Sequence, residues 1–405
     1  MSIRRSFRLS FASLLVLTFA ASAFGQMDNW RDNPIKKMIL EQYDKNNDGR
    51  LGPEEWQTIK KDFQSGKLEL PPGVRERVQE WLAAQPAPKP ERNAKPGRPD
   101  SPRRGPSSLS PEILDKVAIQ RDVEYGRAGD RSLKLDLVYP KSASDKPRPV
   151  VVFIHGGGWQ GGSKSAGIPQ LAMLALKEDY FCASVDYRLS GEAIWPAPIH
   201  DCKAAIRWLR AKAKKYNLDP DKIGVWGSSA GGHLVSLLGT SGGVKELEGP
   251  CGSPDQSSRV TCVVDFCGPS DFSAISESSG AVAPVTRLLG GPLEEKKDEA
   301  KAASPVTYVS HDDPPFLIVH GDEDHLVPMR QAETLHAALQ KAGVSSILLK
   351  VEGCGHGIGG PEVAQRVTDF FAKHLRGKDV EISEEPVKFA SAGEKPASGK
   401  RRARP

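Results

Sequence analysis

The order of apolar and polar positions divides the 405-residue chain into five stretches. In residues 1–25, Arg4, Arg5 and Arg8 precede the apolar run Phe11–Phe24, and small residues follow at Ala23 and Gly25. That order predicts a secretory signal cleaved before Gln26, too short to serve as a membrane span. Residues 26–83 repeat apolar positions at helical spacing: Ile35, Met38, Ile39 and Tyr43, then Trp56, Ile59 and Phe63, then Val74, Val78, Trp81 and Leu82. A small all-α unit follows from that period. Residues 84–111 hold eight of the 32 prolines and almost no large apolar residue, so they cannot bury enough surface to offset their ordering entropy and read as a linker. Residues 112–376 alternate strand-like and helix-like segments, and the polar residues 377–405 read as a disordered basic tail.

Within 112–376 the expected strands are Ala118–Glu124, Ser132–Tyr139, Pro149–His155, Phe181–Tyr187, Lys222–Gly227, Val260–Cys267, Phe316–His320 and Ser345–Val351. Helices are expected over Pro198–Tyr216, from Ala230, over Met329–Ala342 and over Glu362–Leu375. Near-continuous apolar strands between helices predict an α/β fold: a mostly parallel sheet with helices on both faces. Reactive groups in such sheets sit at the carboxyl ends of the strands. Between Gly268 and Pro314 only residues 292–303 look helical, with no long apolar insertion for a lid.

Charge modifies this outline. The formal net charge of +5 suggests a nucleic-acid partner until it is apportioned. The signal, linker and tail carry +3, +4 and +2, whereas the helical unit and the large domain carry −1 and −3. The folded parts are mildly acidic, which argues against a nucleic-acid surface. The basic linker and tail are instead suited to holding the protein near anionic envelope or polysaccharide polymers. No later apolar run reaches the ~18–20 residues of a transmembrane helix.

Three motifs fall at strand ends. Gly227-Ser228-Ser229-Ala230-Gly231 is a G-x-S-x-G between a strand and a helix, where a tight turn lifts the Ser229 hydroxyl clear of the backbone. His155-Gly156-Gly157-Gly158-Trp159 follows a buried strand. Its glycines let main-chain N–H groups approach a developing oxyanion, and the expected donors are the amides of Gly157, Gly158 and Ala230. The third element pairs His320-Gly321-Asp322-Glu323-Asp324 with Gly355-His356-Gly357 after the next strand. His356 is the best base and Asp324 the best acid; Asp322, in the same loop, is the nearest rival, and Asp271 a weaker third. His233 and Trp159 read as packing residues, Trp159 against the first helix or lining an acyl site. His200, His311, His325, His336 and His374 show no metal spacing.

These stretches, with Asp186-Tyr187-Arg188-Leu189-Ser190, Asp219–His233 and Asp313–Pro328, resemble α/β-hydrolase esterases of the hormone-sensitive-lipase-like kind. They resemble more closely the bacterial bifunctional feruloyl and acetyl xylan esterases. The resemblance spans most of residues 112–376. It implies an α/β-hydrolase fold, a Ser229–Asp324–His356 triad, an oxyanion hole of Gly157, Gly158 and Ala230, and no cofactor for catalysis. An acylated carbohydrate or a small ester would be the substrate.

The helical unit carries a separate signal. Asp44-Lys45-Asn46-Asn47-Asp48-Gly49-Arg50, continuing to Glu55, fits a 12-residue calcium loop. Asp44, Asn46 and Asp48 would offer side-chain oxygens, Arg50 its carbonyl and Glu55 a bidentate carboxylate. This resembles a single EF-hand, and the expected role of Ca²⁺ is structural or in attachment, not catalytic. A lone loop with three acidic ligands suits weak binding of about 10⁻⁴–10⁻³ M.

The six cysteines, 182, 202, 251, 262, 267 and 354, show no C-x-x-C spacing, and export allows one to three disulfides among them. Three functions fit the sequence. The first is an exported, periplasmic or secreted, serine esterase acting on acylated carbohydrate. The second is a general small-ester or kynurenine-formamidase-like hydrolase. The third is a calcium-dependent envelope-binding protein with an inactive hydrolase domain.

Overall fold

The computed structural model describes residues 109–276 and 279–389, together with Gln42, Tyr43, Thr58, Ile59, Asp62 and Ser65. The chain divides into two compact units, Met1–Ser101 and Pro102–Pro405. In the first, Tyr43 and Ile59 are helical and buried. The Tyr43 hydroxyl donates to Asp62 Oδ2 at 3.2 Å, joining helical residues from either side of the expected calcium loop. The loop residues Asp44, Asn46, Asp48, Arg50 and Glu55 lie outside the described residues, as do the expected signal 1–25, linker residues 84–108 and tail residues 390–405.

The second unit runs α1 (Pro111–Lys116), β1 (Val117–Ala128), β2 (Arg131–Pro140), β3 (Arg148–Ile154), α2 (Ile168–Glu178), β4 (Phe181–Val185), α3 (Ala197–Ala211) and α4 (Ala213–Tyr216). It continues with β5 (Leu218–Ser228), α5 (Ala230–Thr240), β6 (Cys262–Phe266), α6 (Val282–Leu289), α7 (Lys297–Ala302) and β7 (Phe316–Gly321). The last elements are α8 (Arg330–Lys341), β8 (Ser346–Glu352), α9 (Pro361–Arg376) and β9 (Val387–Lys388). Among the described residues the strands form one sheet in the order β1-β2-β4-β3-β5-β6-β7-β8-β9. Only the β1–β2 and β2–β4 pairings are antiparallel.

The period of two along the strands explains why the sheet needs helices on both faces. Val150, Val152 and Ile154 of β3 enter one apolar cluster, with Leu234 of α5 and Leu335 of α8. Val151 and Phe153 point the other way, into a cluster with Leu171 of α2 and Phe370 and Phe371 of α9. Ile318 and Val319 of β7 divide between the clusters in the same way.

Three differences from the sequence reading have local causes. Helix α2 was not expected; Pro169 sits in its first turn, where a missing N–H costs nothing, and Asp179 ends it in a left-handed conformation. Between β6 and β7 the structure has two helices, α6 and a short α7, where one helix over 292–303 was expected. The segment read as a disordered tail from 377 instead begins with described chain: Ile382 and Val387 are buried, and β9 adds to β8 in parallel through Val351↔Val387. Two apolar residues suffice there because the edge of β8 supplies the backbone partners.

Candidate active site

Strand β5 stops where the sheet ends, and the chain reverses into α5 within one residue. Ser229 takes φ 56° and ψ −121° at that turn, a left-handed conformation that costs a non-glycine residue about 1–3 kcal/mol. The surroundings enforce it. The Ser229 N–H donates to Phe266 O at 2.7 Å, and the His233 N–H donates to Ser229 O at 2.9 Å. A Cβ on Gly231 would lie 2.1 Å from Ile154 O, so only glycine lets α5 approach β3 this closely. Ser229 is half-buried, at the carboxyl end of β5.

The glycine turn after β3 lies beside this elbow: a Cβ on Gly156 would meet Ser229 Cβ at 3.4 Å. Gly157 has φ 113°, and a Cβ there would meet Gly161 O at 2.4 Å. The turn is closed by Gln160 N–H and Gly161 N–H, both donating to Gly157 O. Among the described residues, no hydrogen bond outside helices and strands uses the N–H of Gly157, Gly158 or Ala230. Behind the turn, His155 stacks on Tyr187 at 4.4 Å, and the Tyr187 hydroxyl donates to His155 O. Asp186 accepts from the Lys164 backbone N–H at 2.6 Å and pairs with its ammonium at 3.1 Å. Arg188 holds Asp201 in α3 by a bidentate pair, anchoring the same stretch.

Beyond β7 and β8 the two loops meet. His356 Nδ1 lies 2.7 Å from Asp324 Oδ2. The other carboxylate oxygen accepts from the Leu326 and Val327 N–H groups, each at 2.9 Å. Burial opposes the Asp324 charge, but hydrogen bonds from His320, His356 and Val327 outweigh it and hold the carboxyl well below the usual range. Asp324 is therefore ionised and directed at Nδ1, which leaves Nε2 of His356 free of that pairing. Asp322 is turned elsewhere: it accepts from Gly353 N–H at 2.8 Å and pairs with Lys350 at 3.2 Å. Asp271 caps its own turn by accepting from Ser273 N–H. Among the described residues Ser229 and His356 share no hydrogen bond; such contacts often tighten only when substrate binds.

His233 and Trp159 are buried partners of each other. The Trp159 indole N–H donates to His233 Nδ1 at 3.2 Å, and His233 Nε2 donates to Ala303 O at 2.7 Å. Burial drives the His233 pKa down to about 4, so it is neutral and fully satisfied. Trp159 packs edge-on against His233 of α5 and against Phe272, in the turn after β6. Three neighbours of the site were given no role in the sequence. Pro284 of α6 lies near the donor turn, 3.3 Å from where a Gly158 Cβ would sit. His320, fully buried, places Nε2 2.8 Å from Val327 O and 3.4 Å from Asp324. Cys267, at φ 45°, places its sulfur 3.6 Å from His356 O. All six cysteines are free and buried, so none of the disulfides that export would allow is formed.

Residues 135–339 match the BD-FAE family model. The chain belongs to the BD-FAE family. This BD-FAE chain is 34% identical over 243 residues to Esterase LipC of Mycobacterium tuberculosis, covering 59% of each protein. It spans little more than half the length of the curated relatives it matches. Among solved structures, a truncated carbohydrate esterase from gut microbiota superposes with a TM-score of 0.58 at 33% identity, over 64% of this chain and 96% of that one. The propionate-bound esterase Est2 of the planctomycete Thermogutta terrifontis superposes at 0.55 and 28% identity, over 67% and 98%. The BD-FAE match spans the glycine turn after β3, the Ser229 elbow and the loop of Asp324, and ends before His356.

Proposed function

We propose that this chain is an exported serine esterase that removes acetyl or feruloyl groups from polysaccharide or oligosaccharide. The observation that carries the reading is the 2.7 Å contact between His356 Nδ1 and buried Asp324, assembled beside a strained serine elbow and a glycine turn. In this reading Ser229 Oγ attacks the ester carbonyl while His356 Nε2 takes its proton. The carbonyl oxygen, now negative, is met by the N–H groups of Gly157, Gly158 and Ala230. His356 then protonates the departing alcohol and deprotonates the water that releases the acid. Asp324 keeps the imidazole in the tautomer that leaves Nε2 able to accept.

Carbohydrate as the acyl carrier is supported by the structural neighbour from gut microbiota, which is described as a carbohydrate esterase and is covered over nearly its whole length. A general small-ester hydrolase is the second reading, favoured by the likeness to LipC and to propionate-bound Est2. Residues 1–25 would direct export, and Asp44, Asn46, Asp48, Arg50 and Glu55 would hold Ca²⁺ away from the chemistry. The basic linker and tail would keep the enzyme near anionic envelope polymers. Wild type and Ser229→Ala should be assayed on p-nitrophenyl acetate, longer esters, acetylated xylan and methyl ferulate. Turnover of acetylated xylan or methyl ferulate above that of simple esters supports the first reading. Equal or better turnover of simple esters supports the second, and no turnover of any ester refutes both.

A further inference from the structure

Strand β6 ends at Phe266, and the next residue turns back into the site. Cys267 is held there by its N–H donating to Val319 O at 2.9 Å, and its left-handed backbone aims the sulfur under the loop that carries His356. A sulfur, a carboxylate oxygen and an imidazole nitrogen, from Cys267, Asp324 and His356, lie within 4.8 Å of one another. No other group of three such ligands is present among the described residues. Cys267 and Asp324 are buried, while the His356 side chain is 27% exposed, so the cluster is reachable from solvent on the histidine side.

We propose that Cys267, Asp324 and His356 form an inhibitory site for a thiophilic divalent cation such as Cd²⁺ or Zn²⁺. The donor set of thiolate, imidazole and carboxylate suits these ions, and three protein ligands leave a fourth position for water. Hard cations such as Mg²⁺ and Ca²⁺, which seek six or more oxygens, are excluded by the same donor set. Coordination forms a metal–sulfur bond and sends the thiol proton to solvent, so binding strengthens as pH rises. Either ring nitrogen serves to block the chemistry. A cation on Nδ1 replaces the proton shared with Asp324, and a cation on Nε2 occupies the base itself. The inhibitory consequence rests on the esterase reading; the binding does not.

The test uses the full chain in buffer saturated with Ca²⁺, titrated with Cd²⁺. Thiolate-to-cadmium charge-transfer absorption is recorded alongside p-nitrophenyl acetate hydrolysis. Wild type should show one equivalent of the absorption band with parallel loss of hydrolysis, and Mg²⁺ should produce neither. Cys267→Ala should lose the band and weaken Cd²⁺ inhibition by about tenfold or more, as removal of a metal-site residue does. Cys267→Ser, which keeps the shape but offers a poor ligand for cadmium, should behave alike if Cys267→Ala folds badly. An undiminished band, or equal inhibition of wild type and both variants, would overturn the proposal. A band without any esterase activity in wild type would leave the site standing and refute the esterase reading instead.

Discussion

Asp324 and Asp322 lie two residues apart in one loop, and exchanging each for asparagine separates their roles. Asp324→Asn keeps an oxygen for the Leu326 and Val327 N–H groups, both at 2.9 Å, so the loop should hold its shape. The amide NH₂ then takes the place of Oδ2, 2.7 Å from His356 Nδ1. Two N–H groups cannot face each other at that distance, so the imidazole moves its proton to Nε2 and can no longer accept one from Ser229. In serine proteases the equivalent change costs about 10⁴ in kcat, or ~5.4 kcal/mol of transition-state stabilisation. The same order is expected here, with KM little changed. Asp322→Asn keeps an acceptor for Gly353 N–H and loses only a solvent-screened pairing with Lys350. Its kcat should stay within about twofold of wild type, since its carboxylate meets Gly353 N–H and Lys350 and not the His356 imidazole. Steady-state kinetics on p-nitrophenyl acetate, with thermal melts to exclude unfolding, decide the matter. An Asp322→Asn loss equal to that of Asp324→Asn, or an Asp324→Asn loss below tenfold, would refute this assignment.

Other outcomes follow from the same geometry. Ser229→Ala should remove ester hydrolysis and any burst of released alcohol while leaving the melting temperature within a few degrees or higher, because the strained turn gains nothing from the hydroxyl; retained turnover would place the nucleophile elsewhere. His233 is held neutral by burial, with its pKa pushed down to about 4, so the unfolded chain binds the extra proton below the usual value of 6.5. Its contribution to stability is complete above pH 6.5 and is lost as pH falls towards 4, by about 3 kcal/mol. His233→Asn should therefore lower stability at pH 7 and flatten its fall towards pH 4.5 in denaturant titrations. Gly231→Ala drives a Cβ into Ile154 O and should destabilise by at least ~3 kcal/mol or abolish soluble expression. Chelation of Ca²⁺ should leave kcat on small esters unchanged, and a strict calcium requirement for hydrolysis would contradict a non-catalytic EF-hand.

The sequence by itself determined the strands of the central sheet, the serine elbow and the glycine turn. Each of these is a local matter: period-two apolar runs must be buried on both faces, and a tight strand-to-helix reversal admits only small residues around Ser229. It also narrowed the acid to three aspartates and could go no further, because sequence spacing does not say which side of a loop turns inward. The tertiary structure shows which of them meets His356. The Leu326 and Val327 N–H groups hold Asp324 buried beside His356, while Asp322 stays exposed with Lys350 and Gly353. It also showed that the segment after 377 returns to add β9, since an unpaired edge of β8 is invisible in a polar stretch. Cys267 illustrates the same limit. As a letter it is one more buried thiol at a strand end, and only the meeting of three chain segments sets its sulfur against the histidine loop.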